Sequence, residues 1–557
     1  MLNHDIVIKK FLEKLIQYKV KNIVFSPGSR STPLVNNILK NKKYFNTNII
    51  LDERSAAFFA LGVSKASGKS TVLICTSGTS TLNYSPAIAE AYYSRIPLIV
   101  ITADRPMKFR ETSINQTLNQ SNIYINNINW FYDIPIATPD SSNFISNVAY
   151  KSILKSSTSP KGPVHINWQF EEPFTDGKIK TIEKLEEETI NDDVSIKSNN
   201  IKDNFLKKVE NKNGIILVGQ TENDTQDIIR LANKLNWPII ADPLSNLRLK
   251  NNYSKSTIID TGDLIFRTNK IHDIETVIHI GSLPVSKHIT NSLLNTKFNI
   301  FFEESTSVNE GLFNIDLQIQ GNLKDFVANF ELIKIKSTDN NWNKKFENIN
   351  QSIRKLLDST VDKIEEIKFK KILLDNIPES SVFISGNSLP IRILDIVLHK
   401  SKLINFVGNR GLSGIDGNIS IASGLSSILE NPVYLDIGDL AFFHDCSSLI
   451  TAIRNSKNLT IIVNNNHGGQ IFSLLPQAKD LKNIYSEWFL TSHDEFSIKN
   501  ISKGFGCNYY NPKNQKEFKD ILISTAKTKG IKVIELNFSN TDYSKFNIYI
   551  KNITENL

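Results

Sequence analysis

Short, unbroken apolar runs that each end in a polar turn recur along the chain, and each is followed by a helical stretch. In the first 175 residues these are "NIVFSPG" (22–28), "NIILDE" (48–53), "TVLICTSGT" (71–79) and "PLIVITADRP" (97–106). A strand that is apolar on both faces has to be covered on both faces. Such strands belong to parallel sheets with helices packed above and below. The pattern repeats as "GIILVGQ" (214–220), "WPIIADPLSNLR" (237–248), "TVIHIGSLPVSK" (276–287) and "FNIFFEE" (298–304). It repeats again as "SVFISGNS" (381–388), "LINFVGNRG" (403–411), "PVYLDIGDL" (432–440), "LTIIVNNNHGG" (459–469) and "KVIELNF" (532–538). The expected fold class is therefore α/β, with three doubly wound parallel-sheet domains at 1–181, 200–345 and 365–557. The acid-rich stretch 182–200 reads as a linker, and the charged stretch 336–370 as a helical connection. No short-period repeat is present, but the first and third blocks share size and pattern.

Composition removes several function classes. The chain has 557 residues, 40% hydrophobic and 22% charged, which suits a soluble globular protein. Its formal charge of +8 is spread among acids and asparagines, with no dense basic run interleaved with aromatics. That argues against nucleic acid as a partner and fits anionic small substrates. Three distant cysteines, Cys75, Cys446 and Cys507, make neither a disulfide framework nor a zinc site. The amino-terminal stretch lacks a signal-peptide pattern, and no apolar run approaches the roughly 18 residues of a membrane span. The expected location is the cytoplasm, with no membrane partner.

In open parallel sheets, ligands sit beyond the carboxyl ends of the strands. The polar clusters fall there: Ser26 to Arg30, Glu53, Ser77 to Thr79, and Asp104 with Arg105. Glu53 stands at the lip of "NIILDE", before the apolar run Ala56, Ala57, Phe58 and Phe59. Alone, it reads as a first-turn acid complementing a helix dipole. In the third block, Gly438-Asp439-Leu440 follows one strand and Asn464 to Asn466 follows another, with 27 positions between Asp439 and Asn466. A strand–helix–strand crossover sets those ends side by side, so a carboxylate and an amide oxygen converge. Magnesium takes hard oxygen ligands and is commonly shared with phosphates. Gly468 can add a carbonyl, and the Gly468-Gly469 pair admits a diphosphate close to the main chain.

This spacing resembles the metal–diphosphate signature of thiamine-diphosphate-dependent enzymes, with Leu440 where that signature has glycine. The resemblance implies the thiamine-diphosphate-binding fold, with pyrimidine-binding, central and diphosphate-binding domains. It moves Glu53 from capping to catalysis. Its carboxylate would hold a proton at N1′ of the aminopyrimidine, so that N4′ can take the proton from thiazolium C2.

Further motifs narrow the family. "SPGSRSTPL", "DERSAAFFALG", "TSGTS", "TADRP", "GPVHIN", "ADPLSNLR", "GNSLPIR", "NRGLSGIDG" and "NNNHGGQIFSLLP" run in order from residue 26 to 476. Together they are similar to the menaquinone-pathway 2-succinyl-5-enolpyruvyl-6-hydroxy-3-cyclohexene-1-carboxylate (SEPHCHC) synthase family. The resemblance implies decarboxylation of 2-oxoglutarate and conjugate 1,4 addition to isochorismate. It maps thiamine diphosphate to Glu53, Ser77, Gly78, Ile415, Gly438, Asp439, Leu440, Asn466, Gly468, Gly469, Gln470 and Ile471. It maps Mg2+, with Mn2+ as an alternative, to Asp439, Asn466 and Gly468. Substrate recognition maps to Ser29, Arg30, Arg105, Asn115, Gln116, Lys287, Ser388, Arg392, Arg410, Phe472 and Leu475. Any one of these arginines alone reads as a surface salt bridge. Several at ligand-facing loops point to substrates with multiple carboxylates. His288 follows Lys287 where some relatives carry a second basic residue. His467 is expected to take an asparagine-like loop position without binding metal, and His165 to be structural. The family places its cofactor between two chains, so a homodimer or homotetramer is expected. The alternative is another thiamine-diphosphate 2-oxoacid enzyme, of the acetolactate synthase or pyruvate oxidase type.

Overall fold

The computed structural model describes residues 2–189, 199–268, 270–294, 296–303, 315–360, 363–402, 405–475, 478, 484–493, 495–538 and 543–555. The middle of the expected linker (190–198), Glu304, Leu403, Ile404 and Pro476 lie outside them. Three six-stranded sheets form, and every strand pairing within them is parallel. The first comprises β1 (Asn22–Phe25), β2 (Asn46–Ile49), β3 (Thr71–Cys75), β4 (Leu98–Asp104), β5 (Trp130–Ile134) and β6 (Pro163–Gln169). The second comprises β7 (Gly214–Val218), β8 (Ile239–Ala241), β9 (Ile258–Ile259), β10 (Thr276–Ile280), β11 (Phe298–Glu303) and β12 (Leu317–Gln320). The third comprises β13 (Val382–Ser385), β14 (Asn405–Gly408), β15 (Val433–Gly438), β16 (Asn458–Asn465), β17 (Asn508–Tyr510) and β18 (Gly530–Asn537).

The first sheet runs β2-β1-β3-β4-β6-β5 and the third β14-β13-β15-β16-β18-β17. These are the same topology, as the shared sequence pattern predicts. The central sheet differs, running β12-β11-β10-β7-β8-β9. Strand order reverses between β1 and β3 in the first sheet and between β13 and β15 in the third. Those are the crevices where open α/β sheets bind ligands. The loops after these strands carry Ser29, Arg30, Ser77, Gly78, Ser388 and Asp439.

The first and third sheets are brought together by two helices, Glu53–Ser67 and Asn418–Ile428. They approach so closely that a Cβ at Gly62 would stand 2.2 Å from the Ile421 carbonyl oxygen. One apolar core runs through the contact, including Phe58, Phe59, Ile419 and Ile421. Gly62→Ala is expected to cost about 1–3 kcal/mol through overpacking. A lowered midpoint in thermal unfolding checks this; an unchanged midpoint contradicts so close a contact.

Two readings need correction. "NIILDE" does not continue as a buried strand: β2 stops at Ile49, and Ile49 and Leu51 are 53% and 70% exposed. β2 is the edge of its sheet, so part of its apolar surface is uncovered within one chain. The stretch after 181 also does not leave the first domain at once. Ile182 is buried, its N–H donates to Asn41 Oδ1 at 2.6 Å, and Leu185 packs on the same core. Two apolar side chains three residues apart anchor this acidic segment as a strap. The 336–370 stretch is mostly two helices, Asn340–Thr360 and Glu365–Asn376. Trp342, Phe346, Ile353 and Leu357 of the first enter a core that also holds residues of the central and third sheets' helices. Among the described residues, no helix is long and apolar enough to cross a membrane.

Candidate active site

The site residues gather in three groups. The first lies at the reversal point of the first sheet. Ser29 and Arg30 form a 3-10 turn after β1, Ser77 and Gly78 follow β3, and Arg105 follows β4. Arg30 is buried and donates from Nη1 to the Phe170 carbonyl at 2.8 Å, with its guanidinium 4.8 Å from the Phe174 ring centre. Burial, and next the neighbouring Arg105 charge, lower the Arg30 pKa. Two cations placed together favour an anion between them. Arg105 Nε is buried and makes no hydrogen bond among the described residues. The Ser77 hydroxyl donates to the Gln116 carbonyl at 3.0 Å, which pins the exposed Asn115–Gln116 loop to this turn. Gln120 braces it from below, accepting from the Gly78 N–H at 3.0 Å and donating to Asn167 Oδ1 at 2.9 Å.

Glu53 opens the helix Glu53–Ser67, but the capping is done by Asp52. The Asp52 carboxylate accepts from the N–H groups of Arg54 and Ser55. Glu53 is thereby left for another partner, and Oε1 accepts from the Ser80 hydroxyl at 2.7 Å. It is half-buried, above the fully buried Cys75 and Tyr84.

The second group is the metal loop. β15 and β16 run in register with Gly438 beside Asn464, so Asp439 and Asn466 leave adjacent strand ends. Asp439 Oδ2 accepts from the Gly468 N–H and from His493 Nε2, both at 2.8 Å. Its Oδ1 accepts from the Leu440 N–H at 2.7 Å. His467 takes a left-handed φ of 66°, a conformation that asparagine favours, as the sequence suggests. Gly468 has φ 123°, and a Cβ there would lie 2.2 Å from the Leu490 carbonyl oxygen. The loop is thus built for glycine. Gln470 donates from Nε2 to the Asn466 carbonyl at 3.2 Å. Ile471 packs on a core, Phe472 meets Phe489 edge-on at 5.5 Å, and Leu475 is 37% exposed.

Asn466 Oδ1 is buried and makes no hydrogen bond among the described residues. A buried amide oxygen without a donor is costly unless something else occupies its lone pairs. Among the described residues no cluster of three His, Cys, Asp or Glu side chains could hold a metal. A cation held here would rest on the Asp439 carboxylate, the Asn466 amide oxygen and the Gly468 carbonyl, with positions left for diphosphate oxygens. That donor set fits magnesium or manganese bound together with a diphosphate.

The third group lies between the central and third sheets. Ser388, with φ 72°, heads the helix Leu389–Val397, which carries an exposed Arg392. Arg410 donates from Nη1 to Asn387 Oδ1 at 2.8 Å. Burial lowers the Arg410 pKa, and the Arg392 charge adds to this. The same Arg392 charge helps lower the pKa of His288, after burial and Arg267. Lys287, exposed, starts the helix Lys287–Leu293 beside it. The loop carrying Arg410 and Ile415 is held from the first domain. Glu90 accepts from the N–H groups of Gly411 and Leu412 at 2.9 and 2.6 Å, and Lys65 donates to the Gly408 carbonyl at 2.7 Å. Desolvation brings the Lys65 ammonium down to about 8. Ile415 packs against the core shared by the first and third domains.

Family profiles match in the same order. They are the "Thiamine pyrophosphate enzyme, N-terminal TPP binding domain" over 7–123, the "Middle domain of thiamine pyrophosphate" over 184–384, and the "Thiamine pyrophosphate enzyme, C-terminal TPP binding domain" over 395–536. Among curated proteins, the chain is 33% identical to the 2-succinyl-5-enolpyruvyl-6-hydroxy-3-cyclohexene-1-carboxylate synthase of Listeria monocytogenes, covering 96% of both chains. The chain belongs to the SEPHCHC synthase family. It is also 34% identical to the synthases of Enterococcus faecalis, covering 94% of this chain and 92% of that one, and Bacillus velezensis, covering 97% and 96%. Benzoylformate decarboxylase from Polynucleobacter necessarius shares the fold, with a TM-score of 0.73 at 16% identity over 96% of this chain and 99% of that one. The chain is thus a thiamine-diphosphate-dependent enzyme of three parallel-sheet domains.

The structure also brings in residues that sequence reading passed over. His493, Gln120, Glu90 and Lys65 each brace a site segment from elsewhere in the chain. His165 is structural in the sense expected: buried in β6, with Nε2 2.8 Å from the Thr102 hydroxyl oxygen and burial pushing its pKa down to about 3.

Proposed function

We propose that this chain decarboxylates 2-oxoglutarate and adds the resulting succinyl carbanion equivalent, in a 1,4 sense, to isochorismate. The products are SEPHCHC and CO2, as in menaquinone biosynthesis. The observation that carries the substrate assignment is the cationic lining. Arg105 lies near enough to Arg30, and Arg392 to Arg410, for its charge to help lower the pKa of Arg30 and of Arg410 after burial. Each pair suits a carboxylate, and the two substrates bring several between them. A pyruvate enzyme needs fewer.

Bound thiamine diphosphate supplies the electron sink for the decarboxylation. In this reading, Asp439, Asn466 and the Gly468 carbonyl hold the Mg2+, or Mn2+, that binds its diphosphate. Gly438, Leu440, Gly469, Gln470 and Ile471 shape the loop around that group. Ile415 supports the cofactor from the side, and Ser77 and Gly78 border its pyrimidine. Glu53 holds a proton at the pyrimidine N1′, steadied by Ser80. Ser29, Arg30, Arg105, Asn115, Gln116, Lys287, Ser388, Arg392 and Arg410 bind and orient the substrates' carboxylates and hydroxyls. Phe472 and Leu475 wall the acceptor and exclude water.

Glu53 and the metal loop lie on different domains, and no hydrogen bond joins Glu53 to Asp439 or Asn466 among the described residues. Beside Glu53, Ile49 and Leu51 are exposed; near the metal loop, so are Trp488, Phe489 and Phe496. Apolar surface of this kind supports burial against a second copy. A homodimer or homotetramer would complete each site with two chains. Three free cysteines and the absence of a membrane-spanning helix among the described residues support a cytoplasmic enzyme.

The test mixes purified protein with thiamine diphosphate, Mg2+, 2-oxoglutarate and isochorismate and follows isochorismate absorbance. Loss of absorbance is expected with 2-oxoglutarate and not when pyruvate replaces it. Loss with pyruvate alone, or with neither donor in cofactor-loaded protein, overturns the assignment.

A further inference from the structure

None of the side chains placed in the site above comes from "ADPLSNLR" (241–248), the turn that follows β8. Its side chains nevertheless reach three separate pieces of the third residue group. Asp242 is buried, and its carboxylate accepts from the N–H groups of Leu244 at 2.9 Å and Val285 at 2.8 Å. Val285 stands two residues before Lys287. Between them, Ser286 caps the helix Lys287–Leu293 by accepting from the N–H groups of His288 and Ile289. Leu244 is buried in one cluster with Val285, Phe383 and Phe406. It comes so close to β14 that a Cβ at Gly408 would lie 2.3 Å from Leu244 Cδ1. Asn246, with φ 57°, accepts through Oδ1 from the Phe406 N–H of β14 at 2.9 Å, and β14 ends two residues before Arg410. Arg248 is buried and donates from Nε and Nη2 to the Ala241 carbonyl at 2.9 and 2.7 Å. Its Nη1 donates to the Asp395 carbonyl at 2.7 Å, and Nη2 also to the Asp395 carboxylate. Asp395 lies in the last turn of the helix Leu389–Val397, three residues after Arg392.

We infer that Asp242, Asn246 and Arg248 are positioning residues that hold the backbones carrying Lys287, Arg410 and Arg392 in one fixed arrangement for substrate binding. Lys287 belongs to the central domain, and Arg392 and Arg410 to the third. Three cations repel one another, so their spacing has to be imposed by what stands behind them. Each arm of this turn does that for one segment. The Asp395 carbonyl is one of the four that a helix end leaves without an intrahelical donor. A guanidinium anchored at its root on Ala241 satisfies that carbonyl and pins the last turn in one direction. In a helix of nine residues, a pinned end fixes the turn that carries Arg392. A misplacement of about 1 Å in such a group can cost about 100-fold in rate.

The inference rests on the substrate reading of Arg392 and Arg410 given above, and the experiment separates the two. Full-length protein loaded with thiamine diphosphate and Mg2+ is assayed for isochorismate consumption, with each substrate varied in turn. Arg392→Ala should lower kcat/KM for one substrate at least about tenfold, the loss of a charged hydrogen bond. Unchanged kcat/KM in that variant overturns the substrate reading, and the inference with it. Arg248→Lys keeps a charge facing Asp395 but loses the fork. It should lower kcat/KM for the same substrate at least about tenfold, chiefly through KM. Calorimetry should find its cofactor affinity within a few-fold of wild type. In the Arg392→Ala background the same substitution should cost clearly less, because a residue acting through Arg392 then has less to position. Wild-type KM in Arg248→Lys, or its full loss repeated in the double variant, overturns the inference. So does an equal loss of cofactor affinity, the sign of a general loosening of the fold. If Arg248→Lys does not fold, Asn246→Gly is read in the same way against Arg410→Ala. Glycine takes the left-handed turn freely, so only the bond to the Phe406 N–H is lost. Unchanged KM in Asn246→Gly, or losses that simply multiply with those of Arg410→Ala, overturn the inference.

Discussion

Glu53→Gln is expected to fold, bind thiamine diphosphate with Mg2+, and lose about 100- to 10,000-fold in turnover, the range for removing a positioned proton-transfer group. The substitution is nearly isosteric and keeps an oxygen that can accept from the Ser80 hydroxyl, now 2.7 Å from Glu53 Oε1. The helix start should also survive, because Asp52 makes the capping bonds to Arg54 and Ser55. What the amide lacks is the negative charge that holds a proton on a ring nitrogen. Asp52→Asn is the control. It perturbs the cap, at a cost of about 1 kcal/mol, and should leave turnover within a few-fold of wild type. Rates come from isochorismate consumption and cofactor affinity from calorimetry. Near-normal turnover in Glu53→Gln, or equal losses in both variants, would remove Glu53 from the chemistry and return it to a first-turn acid.

The contrast between Asp52 and Glu53 shows what a sequence can and cannot express. Both are acids at the start of one helix, and local pattern cannot say which of them caps. The strands were legible because burial on both faces demands unbroken apolar runs, and the polar turn after each run marks the ligand-facing end. Asp439 and Asn466 were legible for the same reason, since strand ends in register bring them together. Ile49 and Leu51 misled because an apolar run is written identically whether its strand lies inside a sheet or at the edge, where β2 lies. Ile182 and Leu185 misled because a strap with two anchors has too little periodicity to stand out from an acidic linker. His493 was not legible at all. It is a single side chain in an ordinary segment, and it meets Asp439 across 54 positions, which only folding brings together.

Asp439→Ala should give the opposite signature to Glu53→Gln: the fold persists, and Mg2+-dependent binding of thiamine diphosphate falls by about 100-fold or more, beyond the range seen when only an outer partner is lost. Three bonds end on this carboxylate, from Leu440 N–H, Gly468 N–H and His493 Nε2. Alanine therefore removes the only carboxylate in the proposed ligand set and also releases the glycine turn that carries the Gly468 carbonyl. Loss of the loop and loss of the metal are separable. Calorimetry with Mg2+ and with a chelator should show tight and weak cofactor binding for wild type, but weak binding in both conditions for Asp439→Ala. His493→Ala removes one of the three bonds and leaves the carboxylate, so its Mg2+ dependence should persist with affinity reduced about 10- to 100-fold. If Asp439→Ala instead binds the cofactor tightly and remains sensitive to the chelator, the metal sits elsewhere. Asn466 Oδ1 would then be a buried oxygen still in need of a partner.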